Sequence, residues 1–342
     1  MKIIYPIDSA GVILTYKCPL GCKHCLYACS SQWKEFIDME TLNSILQGIK
    51  KIWKNYKPNP YKNILFHGIH FAGGEPFLNF PLLLSAVERA RELGIYIGYV
   101  ETNAEWCVNR EDVYEKFSLL KSAGLSRIFI SCSPFHAEKV PLKRTLLAIE
   151  VAQKVFGTKN VIIYMAHFIK EIAKFDIENP IPLEKWEIAY GKKGAGYIFW
   201  EGYGLIPGGR SGFLLGDLWY KYPPEVFRED TCRYEILESQ HAHFDLYGNY
   251  IPYFCGGISL GYCNNLEEFY DNFCLDNLPL IKILVERGPY GLMKFAKEFG
   301  FEESPNGYVG KCHLCVDVRR FLALNSNEFL ELSPKNFYNF LF

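Results

Sequence analysis

Three cysteines fall within nine residues, Lys17-Cys18-Pro-Leu-Gly-Cys22-Lys-His-Cys25. The C-x3-C-x2-C spacing puts three thiolates in one tight loop, enough to ligate three irons of a [4Fe–4S] cube and leave the fourth open. A catalytic metal site keeps such an open position for substrate or cofactor. A zinc site is the alternative; it needs a fourth ligand close by, which His24 or Cys29 can supply. Cys29 otherwise reads as a small buried hydrophobe. A second thiol set lies far downstream: Cys232, Cys255 and the knuckle Cys312-His-Leu-Cys315. Four thiolates from two hairpin-like pieces close a tetrathiolate site, either Zn(Cys)4 or [4Fe–4S]. Cys263 and Cys274 lie in the same region, and either can replace Cys255. His241 and His243, two apart on an expected strand, share one face; metal binding there competes with an ordinary polar strand face.

The elements that must hold these groups alternate. Strand-like runs at Val12–Tyr16, Asn63–Phe71, Tyr96–Val100, Arg127–Ser131, Val161–Tyr164 and Tyr197–Trp200 are separated by helical patterns. The helices are Met39–Trp53, Phe80–Leu93, Asp112–Ala123 and Leu142–Phe156, the last three closed by Gly94, Gly124 and Gly157. Six β-α repeats with short connections argue for a parallel sheet, open or partly closed. Active sites in such folds form at the C-terminal strand ends, where Cys18 and the run Phe71-Ala-Gly-Gly-Glu-Pro76 sit. Gly73 and Gly74 let backbone approach a ligand closely, and Glu75 adds a carboxylate. After about Ile206 the pattern changes to a linker-like stretch. Beyond it come a candidate hairpin, His243–Leu246 and Tyr250–Phe254, and a helical region near Leu278–Phe299.

Composition narrows the classes. Lys plus Arg is 37 against 38 Asp plus Glu, a net charge of −1, which leaves no electrostatic footprint for nucleic acid or an anionic membrane. Hydrophobic residues at 49% supply an ample core, and no apolar run approaches the roughly 18 residues that span a bilayer. The start, MKIIYPIDSAGVIL, lacks a signal peptide's apolar region and cleavage site. A cytoplasmic location is expected, so the 12 cysteines point to metal rather than disulfides.

C-x3-C-x2-C after the first strand and Gly-Gly-Glu-Pro after the second resemble, together, the radical S-adenosylmethionine (SAM) superfamily, over roughly residues 10–205. The resemblance implies an α/β fold: a partial (β/α)6 TIM-like barrel over 1–205, a linker over 206–230, a twitch-type α+β subdomain over 231–320 and a tail over 321–342. It implies an enzyme that cleaves SAM reductively and abstracts a substrate hydrogen with a 5′-deoxyadenosyl radical. Cys18, Cys22 and Cys25 would hold the SAM cluster, with His24 packed beside it. Gly73, Gly74 and Glu75 would bind the methionine amino group. Asn103, in a Thr102-Asn103 turn, would lie near the cofactor. Ser131 and Arg144 would meet the methionine carboxylate. Many relatives have Ser-x-Asp where this chain has Ser131-Cys132-Ser133, which leaves that turn's substrate-facing or ribose-facing role open.

Downstream, Cys232, Cys255, Cys312 and Cys315 are similar to a twitch domain, with one auxiliary [4Fe–4S] cluster. The implied cofactors are SAM and two [4Fe–4S] clusters, and the implied electron donor is a flavodoxin or ferredoxin. The layout is similar to peptide-modifying members, epimerases included, which implies epimerisation or crosslinking of a peptide. Where those epimerases carry a hydrogen-donating cysteine this chain has Gly256, leaving Cys132, Cys263 and Cys274 as candidate donors. Seventeen residues precede Cys18, so no leader-gripping winged helix is expected. A small-molecule dehydrogenase with the same plan is the alternative; a non-catalytic iron–sulfur or zinc-stapled protein is more remote.

Overall fold

The computed structural model describes residues 4–54, 67–263 and 265–342. Strands β1 (Ser9–Ile13), β2 (Gly68–Ala72), β3 (Ile97–Thr102), β4 (Ile128–Ser131) and β5 (Val161–Tyr164) lie parallel. Between them run α1 (Met39–Ile52), α2 (Phe80–Glu92), α3 (Arg110–Ala123), the short α4 (Pro134–Ala137) and α5 (Leu142–Phe156). The chain continues through α6 (Phe168–Ala173), α7 (Glu184–Tyr197) and α8 (Ser211–Leu215) to β6 (His241–Phe244) and β7 (Tyr250–Pro252). Helices α9 (Leu266–Asn272), α10 (Pro279–Lys297), α11 (Lys311–Asn325) and α12 (Asn336–Asn339) follow. The sheet order is β5-β4-β3-β2-β1-β6-β7, parallel up to β6, with the β6–β7 pair antiparallel. This is the expected α/β class.

Local causes are visible at the element ends. Asp38, Asn79 and Asn109 each accept a backbone N–H of the helix they precede, which satisfies an otherwise orphaned donor. Gly124 closes α3 at φ 115, where a side chain would be strained. β1 and β2 are buried along their whole length, as a parallel sheet covered on both faces requires. Of the predicted strand Asn63–Phe71, residues 63–66 lie outside the described residues.

One expectation changes. Tyr197–Trp200 is not a strand: it ends α7 and enters a further helical turn, Ile198–Gly202, which buries Phe199 and Trp200. A short apolar run fits a buried helix as well as a strand, and periodicity does not separate them. The sixth parallel strand is instead β6, added beside β1 with Ser9 opposite His241. Within the stretch 206–230, Gly208, Gly209, Arg210 and Ser211 are buried, while most of 220–230 is exposed. Through the β1–β6 pairing the hairpin is continuous with the barrel sheet, and the Tyr16 hydroxyl donates to Asp245 at 3.0 Å to tie the two. Removing that donor with Tyr16→Phe leaves a buried carboxyl one partner short, an expected loss of about 1–2 kcal/mol in equilibrium urea unfolding. An unchanged midpoint would show that the bond does not tie the hairpin to the barrel.

Candidate active site

The C-terminal ends of β1 to β4 enclose one cavity of about 200 Å³. Cys18, Cys22, Cys25 and Cys29 line one side, and Gly73, Gly74, Asn103 and Ser131 line the others. Asn103 reaches the loop itself, its Nδ2 lying 3.5 Å from Cys18 Sγ. His24 stacks on Phe135 with ring centroids 4.6 Å apart, and Tyr203 meets it edge-on at 5.3 Å.

The two glycines serve a purpose the sequence did not reveal. A Cβ on Gly74 would lie 2.0 Å from the Lys17 carbonyl oxygen, and one on Gly73 2.2 Å from that of Thr15. Their bare backbone lets the β2 turn dock on the segment entering Cys18, with Gly74 N–H donating to Thr15 O and Glu75 N–H to Lys17 O. Glu75, expected at the methionine amino group, turns away from the cavity. It is buried and accepts from the Thr102 hydroxyl and from the Asn103 and Phe77 amides. Burial raises its carboxyl to about 7 despite those bonds. Its role here is to hold the Thr102-Asn103 turn.

Arg144 is likewise not on the cavity wall; its guanidinium donates to the backbone and carboxylate oxygens of Glu105. Ser133 caps α4, bonded to His136 at both the backbone N–H and Nδ1, which answers the Ser-Cys-Ser departure with a structural role. None of the three candidate hydrogen donors reaches the cavity. Cys132 packs among Phe135, Leu142 and Phe168, Cys263 is buried beneath Gly248, and Cys274 is exposed near α9. A side chain at position 256 has no room either, because its Cβ would lie 2.4 Å from Leu26 O.

Arg210 escaped the sequence reading because nothing local marks it. It is buried, and its guanidinium donates to Cys29 O and Ala28 O at 2.8 and 2.9 Å, to Phe340 O at 2.8 Å and to Cys22 O at 3.4 Å. One planar fork thus fixes the thiol loop. A hydrogen bond from Cys29, aided by Arg210, holds Cys25 below the ordinary thiol range. Burial pushes Cys18 up to about 12, a cost that a bound cation removes.

A second cavity is lined by Cys232, Cys255, Cys312 and Cys315, together with Arg319. Arg319 Nε lies 3.3 Å from Cys315 Sγ, and its Nη1 donates to Gly256 O and to the Tyr338 hydroxyl of the packed C-terminal segment. Each thiol set lines a cavity, and thiolates are the ligands that hold a [4Fe–4S] cluster.

A family model described as 4Fe-4S single cluster domain matches residues 11–122. That segment carries Cys18, Cys22, Cys25, the Gly-Gly-Glu turn and Asn103. No curated protein matches the chain. Among solved structures, anSMEcpe with bound AdoMet and Cp18Cys peptide is 16% identical at TM-score 0.44, covering 99% of this chain and 96% of that one. BtrN in complex with AdoMet and 2-DOIA is 11% identical at TM-score 0.42, covering 84% and 90%. Streptococcus suis SuiB bound to precursor peptide SuiA is 14% identical at TM-score 0.38, covering 91% and 76%.

Arg210→Leu strands the four carbonyls and should lower the iron retained after anaerobic reconstitution. Arg210→Lys should rescue little, because an ammonium cannot reproduce the planar fork. Full iron in both variants would remove Arg210 from the site. Glu75 supplies a pH test. Its folded carboxyl titrates at about 7, above the ordinary 4.5, so the native state holds the extra proton between them. Stability from this group is complete below about pH 4.5 and lost as pH rises through 7. Glu75→Gln should flatten that part of a thermal-melting profile.

Proposed function

We propose that the chain is a radical SAM enzyme with an auxiliary [4Fe–4S] cluster, acting on a peptide by oxidation or crosslinking. The observation that carries this reading is the single cavity in which the three-thiol loop meets Gly73, Gly74, Asn103 and Ser131 at the strand ends. With cluster and SAM bound, such a site supplies a 5′-deoxyadenosyl radical that takes a hydrogen atom from the substrate. A cluster on Cys232, Cys255, Cys312 and Cys315 would supply a one-electron acceptor.

The chain's own residues bind and orient. Cys18, Cys22 and Cys25 would hold the cluster, while Gly73, Gly74 and Ser131, on the same cavity wall, would present backbone and hydroxyl groups to SAM. Phe135 and Tyr203 pack against His24 and fix its ring on the cavity wall. The candidate thiols off the cavity and the crowded Gly256 disfavour epimerisation by a returning cysteine hydrogen. Oxidation of a small molecule is the second reading, favoured by an adjoining interior cavity of only about 270 Å³.

Changing Cys18, Cys22 and Cys25 together to Ala should abolish 5′-deoxyadenosine formation from SAM and dithionite, and should halve the iron, as expected for two four-iron clusters reduced to one. Undiminished deoxyadenosine would move the active cluster elsewhere. Cys255→Ala should also lose one cluster's iron, whereas Cys263→Ala and Cys274→Ala should keep both.

A further inference from the structure

The interior cavity adjoins the cofactor cavity, and Tyr27, Gly73, Glu101 and Ser131 line both. Its wall carries His70 of β2 with His241 and His243 of β6. Sheet order brings them together, because β1 runs between β2 and β6 and its Gly11 lies opposite both His70 and His243. A Cβ on Gly11 would come within 2.3 Å of His243 Cδ2 and 2.7 Å of His70 Nε2. The missing side chain is the space in which the rings meet.

All three histidines are buried, and their ligand atoms lie within 4.8 Å of one another. His243 Nδ1 is 2.8 Å from Tyr253 O, and His241 Nδ1 is 2.9 Å from Ser9 Oγ. A ring whose Nδ1 hydrogen goes to a carbonyl presents the Nε2 lone pair, the outer support that metal-ligating histidines use. The Glu101 carboxylate lies 3.7 Å from His70 Nε2. Among the described residues the buried Tyr27 hydroxyl, on the same wall, has no hydrogen-bond partner.

We propose that His70, His241 and His243 bind one divalent metal ion of the zinc class, with its open position facing the interior cavity. Three imidazole nitrogens and one open position suit zinc and its neighbours, whereas magnesium and calcium demand oxygen ligands. Nitrogens about 2.05 Å from a tetrahedral ion stand about 3.3 Å apart, so the rings turn inward on binding. The open position takes a substrate carbonyl or carboxylate oxygen, with Tyr27 and Glu101 close enough to orient it. That substrate role rests on the function proposed above; the metal site does not.

The test uses full-length protein with both clusters reconstituted anaerobically, loaded with Zn²⁺ and desalted, with zinc and iron counted together. One zinc per chain is expected, with a zinc-edge absorption spectrum of nitrogen and oxygen neighbours at about 2.0–2.1 Å. His243→Asn and His70→Gln should each weaken zinc binding about tenfold or more with iron unchanged. A sulfur-only shell or no retained zinc in the unmutated protein overturns the site without recourse to a variant. Equal zinc affinity in both variants overturns it as well. SAM cleavage measured on the same preparations separates the two readings: deoxyadenosine without zinc sinks the histidine site alone, and zinc without deoxyadenosine sinks the radical reading alone.

Discussion

The loop from Cys18 to Cys29 and the segment entering it hold their shape because three other segments approach at contact distance. The β2 turn docks on Thr15 and Lys17 through Gly73 and Gly74. Arg210 grips the carbonyls of Cys22, Ala28 and Cys29. Gly256, next to Cys255, sits against Leu26 O. Buried carbonyls left without donors cost about 1–3 kcal/mol each, so the loop's geometry is inherited from distant sequence rather than from its own twelve residues.

The same contacts join the two thiol sets. Gly209 abuts the Cys25 carbonyl and Gly256 that of Leu26, while both glycines also line the second cavity. Arg319 then links Cys315 and Gly256 to Tyr338, and Arg210 links the first loop to Phe340. The C-terminal segment is thus part of the support for both sites. With β6 paired to β1, the barrel and the following hairpin share one sheet.

Local chemistry was legible in the sequence, and long-range geometry was not. Cysteine spacing, the Gly-Gly-Glu turn and the helix-closing glycines announce themselves within a few residues. The set Cys232, Cys255, Cys312 and Cys315 followed from a hairpin and a knuckle, and the structure lines one cavity with all four. The bonds that Glu75 accepts from Thr102, Asn103 and Phe77 were not legible, because a buried carboxylate accepting backbone amides looks, in sequence, the same as one facing a ligand. Tyr197–Trp200 failed because a short apolar run has no distinguishing period. Arg210 and the histidine trio needed the tertiary structure: His70 meets His241 and His243 only across β1, an adjacency that strand order creates.

The most direct measurement is the electron paramagnetic resonance spectrum of dithionite-reduced, reconstituted protein recorded with and without SAM. Two four-iron signals are expected, and SAM should change one of them, the signal absent from protein lacking Cys18, Cys22 and Cys25, because only that cluster keeps an open iron. A single signal, or two signals that SAM leaves untouched, would contradict the assignment of the barrel cavity as a SAM site.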